Sequence, residues 1–412
     1  MEISTNTTLM ILSGLVIASY LFDQFSRWSK IPSVLLLMAT GVVLHETSAY
    51  TGIYLDEIRP YVEFLGTLGL IMIVMEASLD LKLSKQRFPL IRNSFLSAFL
   101  ILCISSLLLA GILFLWMQQS FRMSLVYAIP FSIISSAIVI PTVMYLHPDK
   151  REFLVYEASF SDIIGIMLFN FLIADRVLQP SSLVTFGVSM ILAFIISLVA
   201  SLLLFFTLAR VKTHIKFFLI FALLLMLYGV GKIYHLPSLV LILVFGMVIN
   251  NFSSSPAIIT KHVDMSILPG LLEQLRSITA ESAFLIRTFF FILFGYSINM
   301  SSLYHAQVIL LGTTIILVLL AVRYLYLKSF LKGNLFPELF LMPRGLITII
   351  LFYSIPDWLS YESFNEGVLF FVIIATALLM MFGLSVGKKK IPAVTAEPAQ
   401  PVTEAIDTNP PS

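Results

Sequence analysis

The sequence predicts an all-α polytopic membrane protein of about thirteen transmembrane helices, built as two inverted-topology repeats. Three observations carry that expectation. The chain is 59% hydrophobic and 12% charged, with a mean hydropathy of +0.99, where a soluble domain carries about a quarter charged residues. Its apolar runs are parted by charges, prolines and polar clusters at spacings that suit membrane spans. Its Lys and Arg residues crowd onto one set of alternate loops.

The first run, about 8–25, lacks a basic leader and a small-residue cleavage site, so it reads as a retained helix rather than a signal peptide. The spans that follow are 31–46, 61–80, 94–117, 123–146, 153–173, 182–209, 215–231, 236–250, 278–300, 305–327, 336–355 and 366–386. Beyond Lys390, residues 391–412 are rich in Pro, Ala, Thr and Glu with almost nothing to bury, which predicts a disordered cytoplasmic tail after a membrane domain of residues 1–390. A single cysteine, Cys103, excludes a disulfide framework or a cysteine-based metal site.

Of the 25 Lys and Arg residues, eighteen fall on one set of loops, four on the other (Arg59, Arg122, Arg176, Lys232), and Arg287, Arg323 and Arg344 lie inside spans. The positive-inside rule then places the N-terminus outside and the C-terminus in the cytoplasm, in a plasma or inner membrane.

Three matches recur at a shift of seven spans. IPSVLLLMATGVVL (31–44) aligns with LPSLVLILVFGMVI (236–249), SLDL (78–81) with SINM (297–300), and VIPTV around Pro141 with LMPRG around Pro343. Seven is odd, so the copies, about 8–173 and 215–386, insert in opposite orientations. Inverted repeats with discontinuous helices in corresponding positions are a construction of secondary transporters, with sites near the midplane. Spans 5 and 12 are therefore expected to be broken at their prolines and to cross; the plainer reading is a kink.

Depth follows from a rise of about 1.5 Å per residue, which sets Asp162 roughly 14 Å in, and Arg287 and Arg344 at roughly 12 to 14 Å. Glu157, Glu76 and Arg323 fall near 6 Å from the cytoplasmic side by the same arithmetic. Three carboxylates against three guanidinium groups suit a bundle in which buried charges pair or line water. In EASFSDIIGIMLFNF (157–171), Glu157 and Asp162 point about 140° apart on a helix, while Ser159 and Asp162 share a face. Asp162, with Ser159, Ser161, Thr142 and the backbone of Ile140 freed at Pro141, can offer oxygens to a small hard cation. The alternative is a satisfied structural acid, against which stands a cost of about 2.5–3.5 kcal/mol for a midplane carboxylate. Glu157 is expected to form a structural ion pair with Arg323. Arg287 and Arg344 are counter-charges near the broken helices, Arg287 being either structural or a competitor of the ion, and Glu76 is a carboxylate at the inner mouth. The six histidines lie near span ends and are assigned nothing.

These motifs resemble the monovalent cation:proton antiporter superfamily, in its bacterial sodium/proton exchanger type. EASFSDIIGIMLF is similar to that family's acidic motif, RTFFFILFGYSIN to its basic, Phe-rich helix, LAVRYLYL to the helix whose arginine pairs with the motif glutamate, and PRGLITIIL to its second broken helix. The resemblance covers about residues 8–386 in the family's order. It departs at Ile140, where the family usually has an acid, and at Ser161, where Asn or Asp is common.

The resemblance implies exchange of Na+ (or Li+ or K+) for H+, in which Asp162 holds either the cation or a proton; a single central carboxylate favours an electroneutral exchange. It also implies a homodimer in the lipid bilayer, with no cofactor, no enzymatic activity and no nucleic-acid partner. A sodium-coupled organic-anion carrier, with Arg287 and Arg344 holding the anion, is the alternative. A passive channel would differ by flux without coupled proton movement. An intramembrane protease would need a second catalytic aspartate on a facing helix, a G-x-S-x-G-like serine with a histidine beside it, or HExxH, and the sequence has no such serine–histidine set and no HExxH.

Overall fold

The computed structural model describes residues 5–29, 31–51, 58–80, 87–143, 146–173, 187–188, 191–192, 194–203, 217–234, 236, 238–251, 268–298, 300–330, 335–361 and 364–387. The tail 391–412, half of span 7 and many loop lysines and arginines lie outside these residues.

Among the described residues the chain is helical, with no strand. The helices are α1 (Thr5–Ser29), α2 (Ser33–Thr51), α3 (Ile58–Asp80), α4 (Phe88–Met117), α5 (Phe121–Ser132), α6 (Ser136–Thr142), α7 (Pro148–Ile173), α8 (Phe217–Ile233), α9 (Ser238–Asn250), α10 (Leu268–Tyr296), α11 (Ala306–Phe330), α12 (Leu346–Tyr353) and α13 (Gly367–Gly387). A further helical stretch, Phe194–Leu203, belongs to span 7. Among the described residues, six segments are long and apolar enough to cross a membrane: Phe88–Met117, Phe121–Thr142, Pro148–Ile173, Leu272–Tyr296, Ala306–Phe330 and Gly367–Val386.

Helix α4 shows how such a sequence packs. Its inner face repeats at helical spacing through Ser94, Ser97, Ile101, Ser105, Leu109 and Leu113, all buried. Its outer face, with Phe95, Phe99, Leu108 and Leu115, is apolar yet exposed, as expected of a helix whose far side meets hydrocarbon. Small serines on the inner face let α5 and α7 approach α4 closely. Gln118 ends the helix in a left-handed conformation (φ 52°), its N–H donating to Phe114 O, and the Ser120 hydroxyl then caps α5 by accepting from Met123 N–H at 3.2 Å.

Spans 2 and 9 make matching contacts. Gly41 on α2 lies so near α10 that an added Cβ would stand 2.1 Å from Ile292 O, and Gly246 on α9 so near α3 that it would stand 1.7 Å from Ser78 Oγ. These are the register-matched glycines of the two apolar sequences. Each packs its span against the third helix of the other half.

The interruption expected at Pro141 lies elsewhere. Pro141 sits inside α6, and the residues that leave helical geometry are 133–135, between α5 and α6. Pro343 does lie in a non-helical stretch, 341–345, between the short 3-10 turn Glu338–Phe340 and α12. The two prolines are therefore not equivalently placed. What stops α5 is the sequence SIISS (132–136): β-branched residues beside serines, which favour caps and extended backbone over helix interior. Ser135, extended at φ −76° and ψ 112°, is the residue before α6.

Candidate ion-binding site

The two non-helical stretches meet. Ser135 N–H donates to Pro343 O at 2.9 Å, and Gly345 faces Ser135 so closely that a Cβ there would stand 2.7 Å from Ser135 Oγ. A side chain at 345 would push the two stretches apart.

Helix α7 packs against α4, α5 and α6 and brings Asp162 to this region. Asp162 is buried, 4% exposed, and its Oδ2 accepts from the Ser136 N–H at 3.1 Å. Its Oδ1 has no hydrogen bond of good geometry from any described residue, although the Ser136 hydroxyl adjoins the carboxylate. The buried hydroxyls of Ser135, Ser136, Ser159 and Thr348 are likewise without hydrogen bonds. These carboxylate and hydroxyl oxygens are donors of the kind a hard cation takes in place of its water.

Ser161 is engaged differently from its neighbours: its Oγ accepts the Ile134 N–H at 2.9 Å. It ties the extended stretch to α7. Ile140 and Thr142 lie four and six residues past Ser136, about 6 and 9 Å along α6. The Thr142 hydroxyl donates to Ile138 O within its own helix. The carbonyl orphaned by Pro141 is Ala137 O, because proline has no N–H to offer it. Arg287 Nη1 donates to that oxygen at 3.3 Å. The carbonyl freed by Pro141 is thus taken by a guanidinium.

Arg344 is 1% exposed and holds the C-terminal end of α5. Its Nε donates to Phe131 O at 2.6 Å, Nη2 to Ser132 O at 3.3 Å, and Nη1 to Met342 O. The last carbonyls of a helix lack intrahelical donors and carry partial negative charge, which a buried cation offsets. Asp162, Arg287 and Arg344 therefore meet one stretch of chain, residues 131–137, although neither arginine pairs with a carboxylate there.

Glu157 and Arg323 form a separate group. Both are 1% exposed, with Arg323 Nη2 2.9 Å from Glu157 Oε2 and Nη1 3.2 Å from Oε1. Ser97 Oγ donates to Oε1 at 2.5 Å, and Arg323 Nε donates to Glu338 O at 2.8 Å. Glu76 is half-buried on α3.

A sequence profile described as "Sodium/hydrogen exchanger, transmembrane" matches residues 11–388. The chain belongs to the sodium/hydrogen exchanger family. This is a transporter family, and the chain is a multi-pass membrane protein. Two solved structures similar to this exchanger-family chain are of the sodium proton antiporter MjNhaP1 from Methanocaldococcus jannaschii. One, at pH 8, is 16% identical with a TM-score of 0.72 and covers 93% of this chain and 98% of that one. The other, from an electron-microscopy map, is 15% identical with a TM-score of 0.68 and covers 95% and 100%. At such identities the likeness shows the fold alone. No curated protein matches the sequence.

The hydroxyls of Ser135, Ser136 and Thr348, buried without hydrogen bonds, escaped sequence reasoning. The signal for the first two was the SIISS pattern, passed over in favour of proline. Glu338, buried at 2%, was also missed because it lies two residues inside a predicted span end.

Proposed function

We propose that the protein exchanges Na+, or Li+ or K+, for H+ across the plasma membrane by alternating access, with Asp162 holding either the cation or a proton. The observation that carries this reading is the state of Asp162. One oxygen is oriented by Ser136 N–H and the other, Oδ1, is buried without a hydrogen bond among hydroxyls in the same condition. A buried polar atom left unsatisfied costs about 1–3 kcal/mol, and more when charged, so a proton or a cation at Oδ1 removes a standing cost. One charge site that accepts either species, never both, suffices for antiport and makes the exchange one for one.

The proposal includes two inverted repeats crossing at 133–135 and 341–345. It is supported by the paired glycine contacts at Gly41 and Gly246 and by the bond from Ser135 to Pro343. It also includes a homodimer with an outside N-terminus and a cytoplasmic C-terminus. The anion-carrier alternative needs Arg344 free to take a carboxylate, and Arg344 is committed to main-chain carbonyls.

In everted vesicles energised to an acid interior, acridine-orange fluorescence should recover on adding NaCl, LiCl or KCl, and Asp162→Asn should abolish recovery. Unchanged recovery in that variant would overturn the assignment.

A further inference from the structure

The two glutamates buried beside Arg323 are satisfied very differently. Glu157 has both oxygens taken, by two guanidinium nitrogens and a serine hydroxyl. Glu338 has neither oxygen in a hydrogen bond of good geometry, and its charge is met among the described residues by Lys150, whose Nζ lies 2.5 Å from Oε1. A structural carboxylate in a low-dielectric interior has its lone pairs filled, because the desolvation cost is otherwise not offset. An ionisable group kept inside a membrane protein without that saturation points to an ion path.

We propose that Glu338 is a second, cytoplasm-side site for a monovalent cation, and that the Lys150 ammonium is its resident occupant. The ammonium also donates to Phe336 O at 3.4 Å. Its ligands, a carboxylate oxygen and a main-chain carbonyl, are those a hard monovalent cation would use. Lys150 is 37% exposed while Glu338 is 2% exposed, so the flexible lysine can withdraw to water while the carboxylate stays buried.

Among the described residues, Lys150 is the cation that pairs with Glu338. Arg323 is committed to Glu157 and to the Glu338 carbonyl. Arg87 pairs with Glu152, Arg151 neighbours Lys150 at the start of α7, and α13, which packs on the Glu338 turn, has no charged residue from Gly367 to Gly387.

Position along α7 gives the site a purpose. Lys150 and Glu157 are seven residues apart, two turns on one face of α7, and Arg323 joins the Glu157 carboxylate to the Glu338 carbonyl, so Glu338 lies beside the Glu157 pair while its ammonium partner is rooted about 10 Å to the cytoplasmic side. Asp162 is five residues beyond Glu157. A cation reaching Glu338 therefore waits on the cytoplasmic side of Asp162. This purpose rests on the exchange reading, but the site itself is testable without Asp162.

A tethered ammonium competes at an effective concentration of at least ~1 mM, so a free cation should displace it only at millimolar levels or above, and removing Lys150 should tighten cation binding by roughly tenfold or more. The binding test uses full-length protein carrying Asp162→Asn and Lys150→Met, with 22Na+ as the probe. Saturable binding that disappears when Glu338→Gln is added supports the site; equal binding with and without Glu338→Gln overturns it.

A second test needs no substitution. In wild-type protein, acylation of Lys150 by acetic anhydride, read by mass spectrometry, should accelerate several-fold when NaCl replaces choline chloride at constant ionic strength, while Lys328 stays unchanged. Lys150 labelling indifferent to Na+ would overturn the proposal even if Asp162→Asn abolishes exchange, leaving the central site standing.

Discussion

The non-helical stretches of spans 5 and 12 use the same backbone device for different ends. Just past the first, the Ser136 N–H donates to Asp162 on the following helix at 3.1 Å; within the second, the Arg344 N–H donates to Thr376 on its following helix, also at 3.1 Å. Thr376 then spends its own proton on Val372 O at 2.8 Å, while Asp162 keeps Oδ1 without a hydrogen bond. Equal geometry thus yields one closed joint and one open oxygen. The difference resides in the residue that receives the N–H, and the backbone arrangement only presents it.

The strongest way to break this comparison is to make the two joints alike. Asp162→Thr should keep the acceptor for Ser136 N–H yet reduce exchange in everted vesicles to that of empty vesicles; surviving exchange would mean the open oxygen is not the site. Next in size, Arg344→Met leaves the carbonyls of Phe131 and Ser132 without their donor and should cost about 2–6 kcal/mol, at 1–3 kcal/mol per orphaned group, read as a lower thermal midpoint in detergent.

Glu157→Gln removes the charge opposite a buried guanidinium and should destabilise by about 3 kcal/mol, and adding Arg323→Met should recover part of that loss. A double variant no more stable than the single would show that the pair does more than balance charge. Smallest, Thr376→Val should cost about 1 kcal/mol, the net worth of one hydrogen bond, with exchange retained.

The membrane class, the family and the separation of Glu157 from Asp162 were legible because they rest on composition and on helical spacing along a single helix. Opposite facing five residues apart is a property of α7 alone. The position of the first interruption was not legible from proline. Pro141 is accommodated inside α6 because Arg287, from a helix 150 residues away, supplies the missing donor to Ala137 O. The ledger of three acids and three guanidinium groups was also misleading. Arg344 spends its charge on the end of α5, and Glu338 adds a fourth acid, itself buried but placed too near a span end to enter the count.

The sequence by itself determined what lies in hydrocarbon, which residues carry charge there, and which share a helical face, since these follow from transfer energies and a fixed rise and twist per residue. Only the tertiary structure decided which of those groups are satisfied. Ser161 is held by Ile134 N–H, Thr142 turns back on Ile138, and Asp162 retains an oxygen without a hydrogen bond. Hydrogen-bond satisfaction depends on donors brought from distant segments, and no spacing along one chain segment records it.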